Sequence, residues 1–132
     1  MGYRIEFTDS EGDHKIGLAT DMGHVTDSIR RGLKGCDSVI IEANHDIEML
    51  LCGSYPEYLK MRILSDRGHL SNADCAAFAA ELARDGTKNF LLAHLSEENN
   101  DPFLALAEVR AALGDDSVTV GVADRHEPTR LI

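Results

Sequence analysis

The sequence has no tryptophan and only three cysteines, Cys36, Cys52 and Cys75, with no C-x-x-C pair among them. An odd count without paired spacing argues against a disulfide framework and points to a reducing, cytoplasmic setting. Cys75 falls in an alanine-rich helical pattern, where a buried, inert thiol is the expected fate. No apolar run approaches the ~18 residues of a membrane-spanning helix. The first residues lack the cationic and apolar layout of a signal peptide. Met1-Gly2 opens as a myristoylation signal does, but Glu6 stands where that signal needs Ser or Thr. The P-loop, the G-x-G-x-x-G fingerprint, the G-x-S-x-G elbow and zinc-finger spacing are also missing, as are internal repeats and low-complexity tracts. These absences exclude several common nucleotide-binding and hydrolytic classes.

Positive charge is scarce. Thirteen Lys and Arg face 23 Asp and Glu, a net charge of −10. Such a surface repels nucleic acid unless a metal ion or a local basic strip offsets it. It argues against a protein that simply coats DNA. It leaves a nuclease open, because nucleases concentrate carboxylates around metal ions. The length of 132 residues predicts a single domain over 1–132, and 43% apolar residues are enough for a core.

Residues 3–8 alternate with Tyr3, Ile5 and Phe7 on one side, and residues 15–20 return after the turn cluster Asp9-Ser10-Glu11-Gly12-Asp13, which predicts a β-hairpin. Helical spacing follows over 25–33, and a short buried strand over 38–43. Further helices are expected over 46–51, over 56–64 with Pro56 in the first turn, and over 75–84 after the capping-type start Ser71-Asn72-Ala73-Asp74. A strand over 89–94, a helix over 102–113 closed by Gly114 and a last strand over 118–123 complete the pattern. The order ββ-α-β-α-α-α-β-α-β predicts an α/β fold: one mixed sheet of about five strands with helices on one face. The other face of such a sheet is left bare and apolar.

Several of these strands end in polar residues. Ile16 to Asp21 delivers an aspartate, and Leu91 to His94 delivers a histidine followed by Ser96-Glu97-Glu98-Asn99-Asn100. One Asp and one His at strand ends are typical of divalent-metal sites in α/β enzymes, although each also has a structural reading, Asp21 as a turn residue and His94 as a hydrogen-bonded core histidine. Glu42-Ala43-Asn44-His45-Asp46 leaves the third strand with polar groups that can ligate a metal or orient its ligands; Asn44 or Asp46 can equally cap the next helix. His69 precedes the capped helix start at Ser71. A histidine, a serine and a helix N-terminus make a phosphate pocket, in which His69 binds the anion or protonates a leaving group; the alternative is a loop histidine bonded to backbone. His14 and His126 lie in polar surroundings without assigned chemistry.

The motifs Thr20-Asp21-Met22-Gly23-His24, Glu42 to Leu50, Gly53-Ser54-Tyr55-Pro56, Leu59 to Asp66, Gly68-His69-Leu70-Ser71-Asn72 and Leu92 to Asn100 together resemble the metallo-β-lactamase-fold hydrolases of the YycJ/WalJ type. Those are bacterial cytoplasmic proteins related to ribonucleases Z and J and regarded as metal-dependent exonucleases. The resemblance covers nearly the whole chain, in order, but only the C-terminal half of the αββα sandwich. It implies that Asp21 bridges two metal ions, zinc or manganese, and that His94 ligates one of them. It implies phosphate contact by His69 and Ser71, with His45 and Glu42 as further candidates for touching substrate or orienting ligands, and nucleic acid or another phosphodiester as substrate. The family's His-x-His-x-Asp-His signature is missing here, so most of the expected ligands are as well. The chain therefore reads as a fragment or split-gene product, inactive alone and completed by a missing N-terminal half; Met1-Gly2-Tyr3 opens where a strand of the parent would run. The alternative is a non-catalytic half-fold that covers its bare sheet with a second copy and serves as a structural or binding module.

Overall fold

The computed structural model describes residues 2–124 together with Glu127 and Thr129; Met1 and His126 lie outside the described residues. The strands are β1 (Gly2–Asp9), β2 (Gly12–Ala19), β3 (Ser38–Glu42), β4 (Asn89–Ala93) and β5 (Thr119–Val122). The helices are α1 (Asp27–Leu33), α2 (Ile47–Cys52), α3 (Glu57–Leu64), α4 (Asn72–Arg84) and α5 (Pro102–Leu113). Element order matches the sequence pattern throughout. Boundaries differ where a side chain or a backbone turn takes over. Helix α1 starts only at Asp27, because the Thr26 hydroxyl accepts from Ile29 N and ends the extended chain there. Strand β4 stops at Ala93, because His94 turns into a left-handed conformation with φ of 59°.

The five strands form one sheet in the order β1-β2-β3-β4-β5. The hairpin pair β1-β2 is antiparallel and the other pairs are parallel. Side chains alternate across the sheet. Gly17, Val39, Ile41, Phe90 and Leu92 point to the helix side, where they meet α1 through Leu33, α4 through Cys75, Phe78, Ala79 and Leu82, and α5 through Ala105 and Val109. Gly17 is required at that contact, since a Cβ there would lie 2.4 Å from Leu33 Cδ2.

Among the described residues the opposite face is apolar and left open at β1, while Leu91 at its centre is buried. Tyr3, Leu18, Ile40 and Leu91 lie in one cross-strand row, with Ile5 and Ile16 paired beside it. Tyr3 is 56% exposed, Ile5 59% and Phe7 43%. Burying an apolar side chain of this size is worth about 1.5–3 kcal/mol, so these residues would be stabilised by a second layer.

Parallel strands carry function at their carboxyl ends. Strands β2, β3 and β4 are neighbours, and their register aligns Ala19 with Ile41 and Glu42 with Ala93. Whatever follows Ala19, Glu42 and Ala93 is thus brought to one rim.

Candidate metal and phosphate site

Asp21 lies just beyond β2, Glu42 ends β3, and His94 follows β4 directly. His69 arrives from a different part of the chain, the short segment between α3 and α4. One ligand atom from each of Asp21, Glu42, His69 and His94 lies within 4.8 Å of those of the others. Two carboxylates and two imidazoles are a donor set suited to a divalent ion such as zinc or manganese.

Glu42 is the hub. Its side chain is fully buried, and a buried carboxylate is costly unless donors surround it. Here they do. Oε1 accepts from His69 Nδ1 at 2.9 Å and from His94 Nδ1, while Oε2 accepts from the backbone N–H of Leu70 at 3.1 Å and of Met22 at 3.4 Å. Both histidines therefore donate Nδ1–H to one carboxylate oxygen, which leaves Nε2 of each ring for another partner. That is how a carboxylate fixes the tautomer of a metal-binding or phosphate-binding imidazole. The two rings stand edge to face, centroids 5.1 Å apart. His94 Nδ1 also comes within 3.5 Å of Asp21 Oδ1.

Backbone strain marks the same place. Among the described residues the only non-glycine positions with positive φ are Asp21 at 54° and His94 at 59°. Left-handed backbone at a non-glycine residue costs of order 1 kcal/mol or more and persists where surrounding contacts over-determine it. For His94 those contacts are visible: Asn44 Nδ2 donates to His94 O at 2.9 Å, and Ser96 N donates to Asn44 O at 2.7 Å. Behind them, Asn72 and Asn100 exchange side-chain hydrogen bonds at 2.8 and 3.0 Å, and Asn100 also donates to Ala43 O. Buried amides thus tie the loops after β3, before α4 and after β4 to one another.

Open hollows surround the cluster. One of about 370 Å³ is lined by Asn44, Tyr55, His69, His94 and residues 95–98, and one of about 390 Å³ by Asp21, His69 and α3 residues. His69 belongs to both.

Of the residues singled out in the sequence, Asp21, Glu42, His69 and His94 meet, and Asn44 braces His94. Ser71 and His45 do not line these hollows. Ser71 is buried and its hydroxyl caps α4 by accepting from Asp74 N at 3.1 Å, the role its capping-type sequence predicts. Asp46, not Asn44, caps α2, accepting from Met49 N. His45 is buried, its Nε2 has no hydrogen-bond partner among the described residues, and burial together with the neighbouring His69 pushes its imidazole below the usual value. His14 is held by Asp9 Oδ1 at 2.9 Å on the hairpin, far along the sheet from the rim. The centrality of Glu42 is what the sequence conveys least, its one signal being an acidic residue closing the apolar run Val39-Ile40-Ile41.

No protein-family model matches the chain. It is 43% identical over 125 residues to exodeoxyribonuclease YycJ of Bacillus anthracis, an alignment covering 90% of this chain and 47% of that protein. It is 44% identical over 110 residues to exodeoxyribonuclease WalJ of Streptococcus pneumoniae, covering 83% of this chain and 41% of that protein. The chain spans about half the length of the curated relatives it matches.

Proposed function

We propose, from a chain of the YycJ/WalJ type whose mixed five-stranded sheet is half of a metallo-β-lactamase sandwich, that it supplies part of the active site of a metal-dependent phosphodiester hydrolase acting on DNA. The observation that carries this reading is the convergence of Asp21, Glu42 and His94, from the carboxyl ends of adjacent strands, with His69 from the loop before α4. Residues 1–132 act as one domain-half, in a reducing cytoplasm where all three cysteines are free. The remainder of the relatives' length supplies the other ligands and the sheet that covers Tyr3, Ile5 and Phe7.

Asp21 and His94 would hold the metal, zinc or manganese. Bound there, a divalent ion lowers the pKa of water and neutralises charge on a phosphate. The chain's own residues do the rest. Glu42 holds both imidazoles in the Nδ1–H tautomer. His69, one-third exposed at its side chain, presents Nε2 to the cleft; having taken a proton from solvent there, its Nε2–H donates to a phosphate oxygen and then passes that proton to the leaving oxygen. Asn44 keeps His94 in its left-handed turn.

The isolated chain is inactive, because its two direct ligands hold a metal weakly. In a complete protein carrying these residues, Asp21→Ala lowers metal-dependent DNA hydrolysis by more than about 100-fold. Undiminished hydrolysis by that variant overturns the reading.

A second reading rests on the uncovered apolar face. A patch of this kind is rarely left exposed in a monomer, and two copies placing these faces together would make a non-catalytic module. Sedimentation of the chain separates the two: a monomer at micromolar concentration removes the self-associating alternative.

A further inference from the structure

The hollow beside Asp21 and His69 has a second wall, made by the C-terminal half of α3 and the loop that follows. Arg62 and Arg67 line it. Both are exposed, and among the described residues neither guanidinium has an ion-pair or hydrogen-bond partner. Three other cations of this acidic chain are paired, Arg30 with Glu81 at 2.9 Å, Arg4 with Glu6 at 2.8 Å and Lys60 with Glu57 at 3.6 Å; what sets Arg62 and Arg67 apart is their place beside His69 and Asp21.

The wall is also fixed in place relative to His69. Ser65 Oγ donates to Arg62 O at 2.6 Å, Arg67 N donates to Ser65 Oγ at 3.3 Å, Gly68 N donates to Ser65 O at 2.9 Å, and His69 N donates to Ile63 O at 3.0 Å. A Cβ on Gly68 would lie 2.1 Å from Ile63 O, so the loop folds back on the end of α3 with no room to spare. The backbone that carries both arginines is therefore the backbone that sets His69.

We propose that Arg62 and Arg67 form a phosphate-binding arm, which grips backbone phosphates of a single nucleic-acid strand next to the phosphate held at His69. Guanidinium groups match phosphate oxygens in paired hydrogen bonds. A chain of net charge −10 needs such a local cationic strip to admit a polyanion. The arm rests on the hydrolase reading above for the identity of its ligand, and acts on phosphates that are not cleaved.

The test uses the full chain and a short fluorescent oligothymidylate, with affinity followed by anisotropy across a range of salt. Arg62→Gln together with Arg67→Gln weakens binding about tenfold and makes the salt dependence shallower, by about 0.7 in log–log slope for each phosphate contact removed. Arg31→Gln with Lys34→Gln, the same charge change on and after α1, leaves slope and affinity as they were. Equal effects of the two pairs, or no binding by the unsubstituted chain, overturn the arm. Hydrolysis by a complete protein of a small chromogenic phosphodiester, which has no flanking phosphates, separates the two claims. There the arginine pair is dispensable, whereas indifference to Asp21→Ala defeats the hydrolase reading and leaves the arm to the binding result.

Discussion

The Nδ1 atom of His94 lies 3.5 Å from Oδ1 of Asp21, and the two residues share a left-handed backbone, with φ of 59° and 54°. One follows β4, the other follows β2, and β3 runs between those strands. Each strand ends in a turn that swings its polar side chain inward over Glu42, and the close approach of the pair follows from that shared turn.

The turn at Asp21 has a measurable cost. Asp21→Gly and Asp21→Ala both remove the carboxylate, but only glycine tolerates positive φ without a Cβ penalty. The glycine variant unfolds with a stability roughly 1 kcal/mol above the alanine variant in urea titrations. Equal stabilities would show that the loop relaxes out of the left-handed region.

Glu42→Gln tests the hub. The amide keeps the size but loses the charge, and its NH₂ group cannot accept from the two imidazoles and two backbone N–H groups now gathered on the carboxylate. Divalent-metal affinity measured by calorimetry falls about 10–100-fold, with stability lowered as well by the unsatisfied donors. Unchanged metal affinity would show that the histidines need no carboxylate behind them.

Gly68→Ala probes the loop that sets His69. The added Cβ, 2.1 Å from Ile63 O and 2.4 Å from Arg62 O, meets backbone, which cannot swing aside. Stability drops by about 1–3 kcal/mol, and the His69 ring resonances shift in proton–nitrogen spectra. A silent substitution would mean that this loop is freer than its hydrogen bonds indicate.

His45 predicts a pH dependence. Its imidazole is buried and its pKa is lowered in the folded chain, so over the window below the unfolded value of about 6.5 the unfolded state binds more protons. Stability therefore falls as pH drops through that window and is at its full value above it. His45→Asn flattens this part of the profile in chemical denaturation at several pH values; an unaltered slope assigns it to another group.

Much of this molecule is legible in its residue order. Helix α5 runs between the limits its residues announce, because Asp101 caps it, Pro102 opens it and Gly114 closes it at φ of 60°. Those are local interactions within a few residues. Asp21, His69 and His94 stand out in the sequence because each is polar next to an apolar run or a capped helix, which is again local. Glu42 stood among several polar neighbours with nothing to rank it above Asn44 or His45. Its rank depends on what the sheet register and the loop before α4 bring to its two oxygens, and all four of those donors come from distant positions.

Sequence alone determined the alternation of strands and helices, the apolar faces and the polar strand ends, since periodicity and capping are written within a turn or a pleat of the chain. Only the tertiary structure decided that three strand ends and one loop share a single carboxylate, that Ser71 is consumed by its helix, and that Arg62, Arg67 and Asp21 line one hollow with His69. Those outcomes depend on strand order and on close backbone packing between distant segments, and hydrophobic periodicity carries no information about either.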